Sequence, residues 1–238
     1  MAMTSKAKTP EKVTTPSVAD YYRRYSTRFV AEGETKIGYR YDQVEGRKLQ
    51  KPNGVNFTNN VTLSQPSAEV LTLINQNGVW CFVFGLQSRS PYLVDVDGEI
   101  YCKLFLEQAA GLLEEGQDFI QAAIAETSQE FGVTLSYLGV FISNVCRHVS
   151  YADETSVGFL AIADSIGKQR LDKYENIKVV VIPVDETRKK LEAYLDGDEE
   201  GFFGFDVPEM TQLALARFFW KLDTGRLDLD NLQGNLLK

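Results

Sequence analysis

The stretch from Ala68 to Glu107 constrains the fold of this chain more than any other. "AEVLTLI" and "VWCFVFGL" are β-branched and aromatic runs separated by "NQNG", and "YLVDV" and "EIYCKLFLE" flank Asp97-Gly98. Asn-Gly and Asp-Gly supply the positive φ that two-residue hairpin turns require, so the stretch predicts antiparallel strands joined by tight turns. "VNFTNNVTLS" after Asn53-Gly54, and "LSYLGVFIS", "SVGFLAIA" and "IKVVVIPV" further on, read as additional strands. Helical patterning is found in Asp118 to Phe131, in "ETRKKLEAYL" with apolar Leu191, Tyr194 and Leu195, and in "PEMTQLALARFFWKL" with Pro208 at its start. Strands dominate and helices are interspersed, which predicts an α/β (α+β) class with a mixed β-sheet and helices on both faces.

With 238 residues, 44% of them hydrophobic and 24% charged, the chain can bury a sizeable core. Its 33 acidic and 25 basic residues give a net charge of −8, which argues against a broad electrostatic attraction to nucleic acid or an anionic membrane. The longest apolar run, Gly78 to Leu86, is far short of the roughly 20 residues of a membrane-spanning helix. Cys81, Cys102 and Cys146 are widely spaced and odd in number, as expected of reduced thiols. "MAMTSKAKTPEKVTTPS" has no apolar stretch to serve as a signal peptide or anchor, so a cytosolic location is expected.

The expected organisation is a disordered tail over 1–18, a small N-terminal β region over 19–66, and a main domain over 67–238 that closes with a helix. "YYRRYSTRFVAEG" reads as an amphipathic segment that packs its rings while Arg23, Arg24 and Arg28 face water. "DGDEEGFFGF" lacks calcium-loop spacing and reads as a solvated turn. His148 is the only histidine, and no Gly-x-Ser-x-Gly elbow accompanies it; phosphate-loop and dinucleotide motifs are missing as well.

The chemistry concentrates in "AAGLLEEGQDFIQAAIAETSQEFGV", residues 109–133. Asp118 is a good N-cap and Gln121 completes a capping box, so a helix begins just after Gly116. At about 100° per residue, Ile120, Ala123, Ile124, Thr127 and Phe131 form one stripe that should face a sheet, with Glu126 and Glu130 on its flank. Carboxylates at i and i+4 repel, and beside a core such a pair calls for a cation. Mg²⁺ suits them, since it takes one or two carboxylates together with substrate phosphates and water. The same pair also fits the solvated acidic edge of an ordinary amphipathic helix.

The spacing of the whole stretch resembles the signature of the Nudix hydrolases: Gly, five residues, Glu, seven residues, Arg-Glu, an aliphatic, any residue, Glu-Glu, any residue, Gly, an aliphatic. Gly111, Glu126, Glu130, Gly132 and Val133 fall on that pattern, whereas Gln117, Ala125, Thr127 and Gln129 depart from it. The resemblance implies a Nudix-like α/β/α sandwich in which a loop-helix-loop binds Mg²⁺ or Mn²⁺ through Glu126 and Glu130. Gln129 then offers only a neutral oxygen at a third ligand position.

Similarity to the ADP-sugar and ADP-ribose pyrophosphatase branch runs from about Val70 to Trp220. It implies Glu107 in "FLEQAAGLLEEG" as a further metal carboxylate, a position that also reads as a strand-end charge facing water. Glu175 or Asp172 in "LDKYENIKVVVIPVDE" and Glu154 in "HVSYADETSVGFLAIAD" match catalytic or acidic positions, and loop acids also serve solubility. Gly111 and Arg89 in "GLQSRSPY" are the implied substrate contacts. A homodimer that exchanges its N-terminal β region follows from the resemblance too. Two functions are consistent with these residues: metal-dependent hydrolysis of a nucleoside diphosphate-linked compound, or a catalytically inactive Nudix-fold protein serving as a nucleotide-binding regulator or assembly component.

Overall fold

The computed structural model describes residues 19, 23, 43–50, 56–63, 65–146, 155–173, 175–197 and 202–232, with backbone alone for 43–50, 56–63, 90, 91, 144 and 230. Strands β1 (Gln43–Gln50) and β2 (Asn56–Leu63) pair antiparallel as a two-stranded sheet, from Gln43 opposite Leu63 to Gln50 opposite Asn56. A seven-stranded mixed sheet follows, made of β3 (Ser67–Gln76), β4 (Val79–Val96), β5 (Glu99–Glu107), β6 (Ala109–Leu112), β7 (Val133–Cys146), β8 (Thr155–Ile166) and β9 (Ile177–Pro183). Its order is β5-β4-β3-β8-β7, with β6 on β3 and β9 on β4. β3 and β8 run parallel, and the other named pairs in this sheet are antiparallel.

Local chemistry explains the hairpins. Asn77 (φ 54°) and Gly78 (φ 86°) turn β3 into β4, while Asp97 (φ 55°) and Gly98 (φ 82°) turn β4 into β5. Both are the left-handed pairs that the right-handed twist of the flanking strands prefers. Asn75 and Asp95 each accept the amide of the turn glycine at 2.8 Å. Arg23 keeps to the surface and donates to Asp97 at the tip of the second hairpin; Arg24 and Arg28 lie outside the described residues.

Alternation along the central strands puts helices on both faces, as expected. Leu71, Leu73, Phe82, Phe84 and Leu86 pack with Leu191 of α2 (Val184–Leu195) and with Leu215 and Phe218 of α3 (Glu209–Asp223). Ala68 and Val70 point the other way and pack with Ala122 and Ala123 of α1 (Phe119–Glu130). A short α4 (Leu229–Leu232) follows. The result is the mixed-sheet α/β/α sandwich. Among the described residues no helix is long and apolar enough to cross a membrane.

Two expectations are corrected. Of the expected stripe on α1, Ala123, Thr127 and Phe131 are buried, but Ile120 and Ile124 remain 48% and 38% exposed and Ala122 and Glu130 are buried in their stead. Small alanines let the helix approach the sheet closely, and this rotation turns Glu126 and Glu130 inward. "DGDEEGFFGF" is likewise more than a solvated turn: Phe202 is fully buried in the α2/α3 core. Phe203 (φ 58°) and Gly204 (φ 80°) reverse the chain between Phe202 and Phe205, which exchange backbone hydrogen bonds. The Asp206 carbonyl then accepts the Leu106 amide at the β5 edge. Burial of the aromatic ring outweighs the polarity of the flanking acids. His148 falls outside the described residues.

Candidate functional site

The stretch that carried the sequence argument folds as strand, loop, helix and loop. Before the helix, Gln117 accepts the Glu114 amide through its side-chain carbonyl at 3.0 Å, and its own amide donates to the Glu114 carbonyl. The capping box is present: Asp118 accepts the Gln121 amide at 2.8 Å and Gln121 accepts the Asp118 amide at 3.0 Å. Thr127 buries its hydroxyl by donating to the Ala123 carbonyl at 2.6 Å, so this departure from the signature leaves the helix packed. Ala125 faces solvent.

Two glycines set the carboxylate positions. A Cβ on Gly111 would stand 2.0 Å from Cδ and Oε1 of Glu126, so the bare backbone of β6 is what lets that carboxylate lie there. Gly132 (φ 68°) ends the helix region with its backbone against 167–169, where a Cβ would meet the Gly167 carbonyl at 2.7 Å. That segment is pinned to the helix end. Arg170 donates its amide to the Gln129 carbonyl at 2.9 Å, and Gln169 donates to the carbonyls of Glu130 (2.5 Å) and Ile177 (3.0 Å). The loop that follows is folded on itself, with the Asp172 amide donating to the Glu175 carboxylate at 2.9 Å.

These elements enclose a cleft of about 470 Å³. Of the residues singled out in the sequence, Arg89, Gly111, Glu126, Gln129, Glu130, Asp172 and Glu175 line it. Glu107 stands behind Arg89, which donates from Nε to one carboxylate oxygen (3.0 Å) and from Nη2 to the other (2.6 Å). Glu154 lies outside the described residues. Glu69 and Glu114 are lining carboxylates that the sequence reading did not single out. Glu69 is 3% exposed and accepts from Gln108 at 2.6 Å. Its signal is a charge inside the apolar run "AEVLTLI", since a buried carboxylate in a strand requires a partner.

The electrostatics are one-sided. The described lining residues include six carboxylates and a single arginine, Arg89. Burial pushes the Glu130 carboxyl up to about 8; the Ala110 amide, donating to it at 3.1 Å, opposes this, and Glu126, Glu107 and Glu175 add to it. Burial, with Glu175, Asp172 and Glu114 nearby, lifts Glu126 to about 7. Burial also raises Glu107, against the pull of Arg89. Burial works against the Arg89 charge, but Glu107, with Glu130 and Glu175, outweighs it and raises the guanidinium.

As the side chains stand, no group of three His, Cys, Asp or Glu among the described residues gathers at metal-binding spacing. The donor chemistry of Glu126 and Glu130 nevertheless suits a hard divalent ion. Both are oxygen donors on successive turns of one helix, both line the cleft, and burial with neighbouring carboxylates disfavours their ionisation, a penalty that a bound cation would offset. Mg²⁺ completes its shell with ligand phosphates and water, so two carboxylates suffice as the protein's share.

No family model matches the chain, and no curated protein does. Among solved structures, the crystal structure of an ADP compounds hydrolase superposes with a TM-score of 0.55 at 18% identity, over 86% of this chain and 98% of that one. This likeness is one of fold alone: a mixed sheet with helices on both faces.

Proposed function

We propose that the protein is a Nudix-type hydrolase, dependent on Mg²⁺ or Mn²⁺, that cleaves the diphosphate of a nucleoside diphosphate-linked compound of the ADP-ribose or nucleotide-sugar class. The observation that carries this reading is the charge of the cleft. An anionic diphosphate entering a space with six carboxylates and one arginine, itself already paired, meets net repulsion unless a cation accompanies it. Glu126 and Glu130 would hold that cation, with Gln129 as a neutral oxygen nearby, and when bound it neutralises phosphate oxygens. Glu175 is the candidate to orient a water and take its proton as the water oxygen attacks phosphorus and the bridging P–O bond breaks. Glu154 is the second candidate for this role.

A second reading is favoured by the neutral residues of the signature. Gln117 is engaged in closing its turn and Ala125 faces solvent, which fits a protein that binds the metal–nucleotide complex without turning it over. Product analysis across a panel of nucleoside diphosphate compounds with Mg²⁺ or Mn²⁺ separates the two. Nucleoside monophosphate release supports the hydrolase; saturable binding without release supports the regulator. The reading also includes a homodimer exchanging the 19–66 region and a cytosolic location, the former testable by light scattering on the full chain and on one lacking residues 1–66.

A further inference from the structure

Glu107 and Arg89 form the one fork-on-fork ion pair beside the cleft among the described residues. Arg89 stands on the same face of β4 as Cys81 and Val83, the face that packs with Phe131 at the end of α1. Glu107 lies on β5 opposite Gly85. The carboxylate is buried, with its side chain 11% exposed, whereas the arginine side chain is 44% exposed and opens into the cleft. An arginine has five N–H donors in a rigid plane. Two go to Glu107, which leaves three on a side chain that lines the cleft.

Both Glu107 oxygens already accept from a cation, so a divalent ion placed on the same carboxylate would sit beside the guanidinium and be repelled by it. Arg89 also lies within electrostatic reach of Glu130 and Glu175. Released from Glu107, it could swing to those carboxylates and neutralise the charge that a metal would use. We propose that Glu107 is a positioning residue and not a metal ligand: it fixes the Arg89 guanidinium so that its remaining N–H groups receive a phosphate of the diphosphate and stay off the helix carboxylates.

This inference rests on the nucleotide reading of the cleft, and calorimetry with Mn²⁺ alone and with ADP in the presence of Mn²⁺ tests both on the full chain. Arg89→Ala and Glu107→Gln are each expected to weaken ADP binding by about tenfold or more, the scale of a charge-assisted hydrogen bond to phosphate. The double variant should be no weaker than either single one. It should also bind Mn²⁺ alone within about twofold of wild type, because any metal affinity lost in Glu107→Gln through capture of the helix carboxylates by Arg89 returns once the arginine is gone.

A double variant that has lost Mn²⁺ binding makes Glu107 a ligand and overturns the proposal. So does Glu107→Gln with wild-type ADP affinity, a result that leaves the nucleotide reading standing. Wild-type protein that binds no ADP with Mn²⁺ overturns both. Should Glu107→Gln fail to fold, Arg89→Lys asks the same question: the charge stays but the fork is lost, and ADP affinity should fall as in Arg89→Ala, whereas retained affinity contradicts the proposal.

Discussion

Single residues decide whether the cleft can work, and Gly111 is the clearest case. In Gly111→Ala the new methyl would claim the space of the Glu126 carboxylate, 2.0 Å away. A side-chain carboxylate can move where backbone cannot, so the fold should survive with nearly unchanged melting while hydrolysis drops by about a hundredfold, the scale of a misplacement of one ångström at a reacting centre. Steady-state kinetics and a thermal melt on the same preparation check this. Glu126 and Glu130 make a second prediction. Their carboxyls are raised from 4.5 to about 7 and about 8, so between pH 4.5 and 8 the native state retains protons that the unfolded chain has released. Metal-free stability should therefore fall as pH rises through that window and level off above it. Mn²⁺ should raise the melting temperature more at pH 8 than at pH 6, and Glu130→Gln should flatten the metal-free pH slope. Both glutamates were legible from spacing within one helix. Glu69 was not, because its partner Gln108 is distant in sequence and a lone charge in an apolar strand does not name its partner.

At the level of elements, what is local was readable and what is long-range was not. The turns at Asn77-Gly78 and Asp97-Gly98 and the capping box act within a few residues of themselves, and they appear in the structure where the sequence placed them, whereas the Asn53-Gly54 turn lies outside the described residues. The rotation of α1 is different. Ala123, Thr127 and Phe131 are buried as periodicity placed them, but close packing of Ala122 and Ala123 with Ala68, Val70 and Phe159 shifts the buried face away from Ile120 and Ile124. Enlarging the packed face by Ala123→Leu should cost about 1–3 kcal/mol through overpacking. Ile124→Gln on the open face should change stability by no more than about 0.5 kcal/mol. Chemical denaturation of both variants measures the difference, and the reverse ranking would restore the stripe read from periodicity. The burial of Phe202 in the turn to Phe205 went unread for a similar reason, since its ring packs in a core shared with distant helices.

The whole molecule is held by contacts that no local pattern announces. Parallel pairing of β3 with β8 joins 67–74 to 156–163, and the sheet order it sets brings the loop holding Asp172 and Glu175 over the end of α1. The cleft is thus assembled from four separate parts of the sequence: the start of β3 with Glu69, the middle of β4 with Arg89, the loop-helix-loop, and the loop with Asp172 and Glu175. Its acidic lining fits the net charge of −8, and the proposed function pairs an anionic ligand there with a divalent ion. The most direct measurement is release of AMP from ADP-ribose by the purified full chain with Mg²⁺ or Mn²⁺, with chelator and Glu130→Gln as paired controls. The account predicts release that stops with chelator and falls by about 10²–10³ in Glu130→Gln, as for loss of an electrostatic stabiliser of the transition state. Release that persists undiminished in Glu130→Gln, or none from the wild-type protein with either metal, would contradict it.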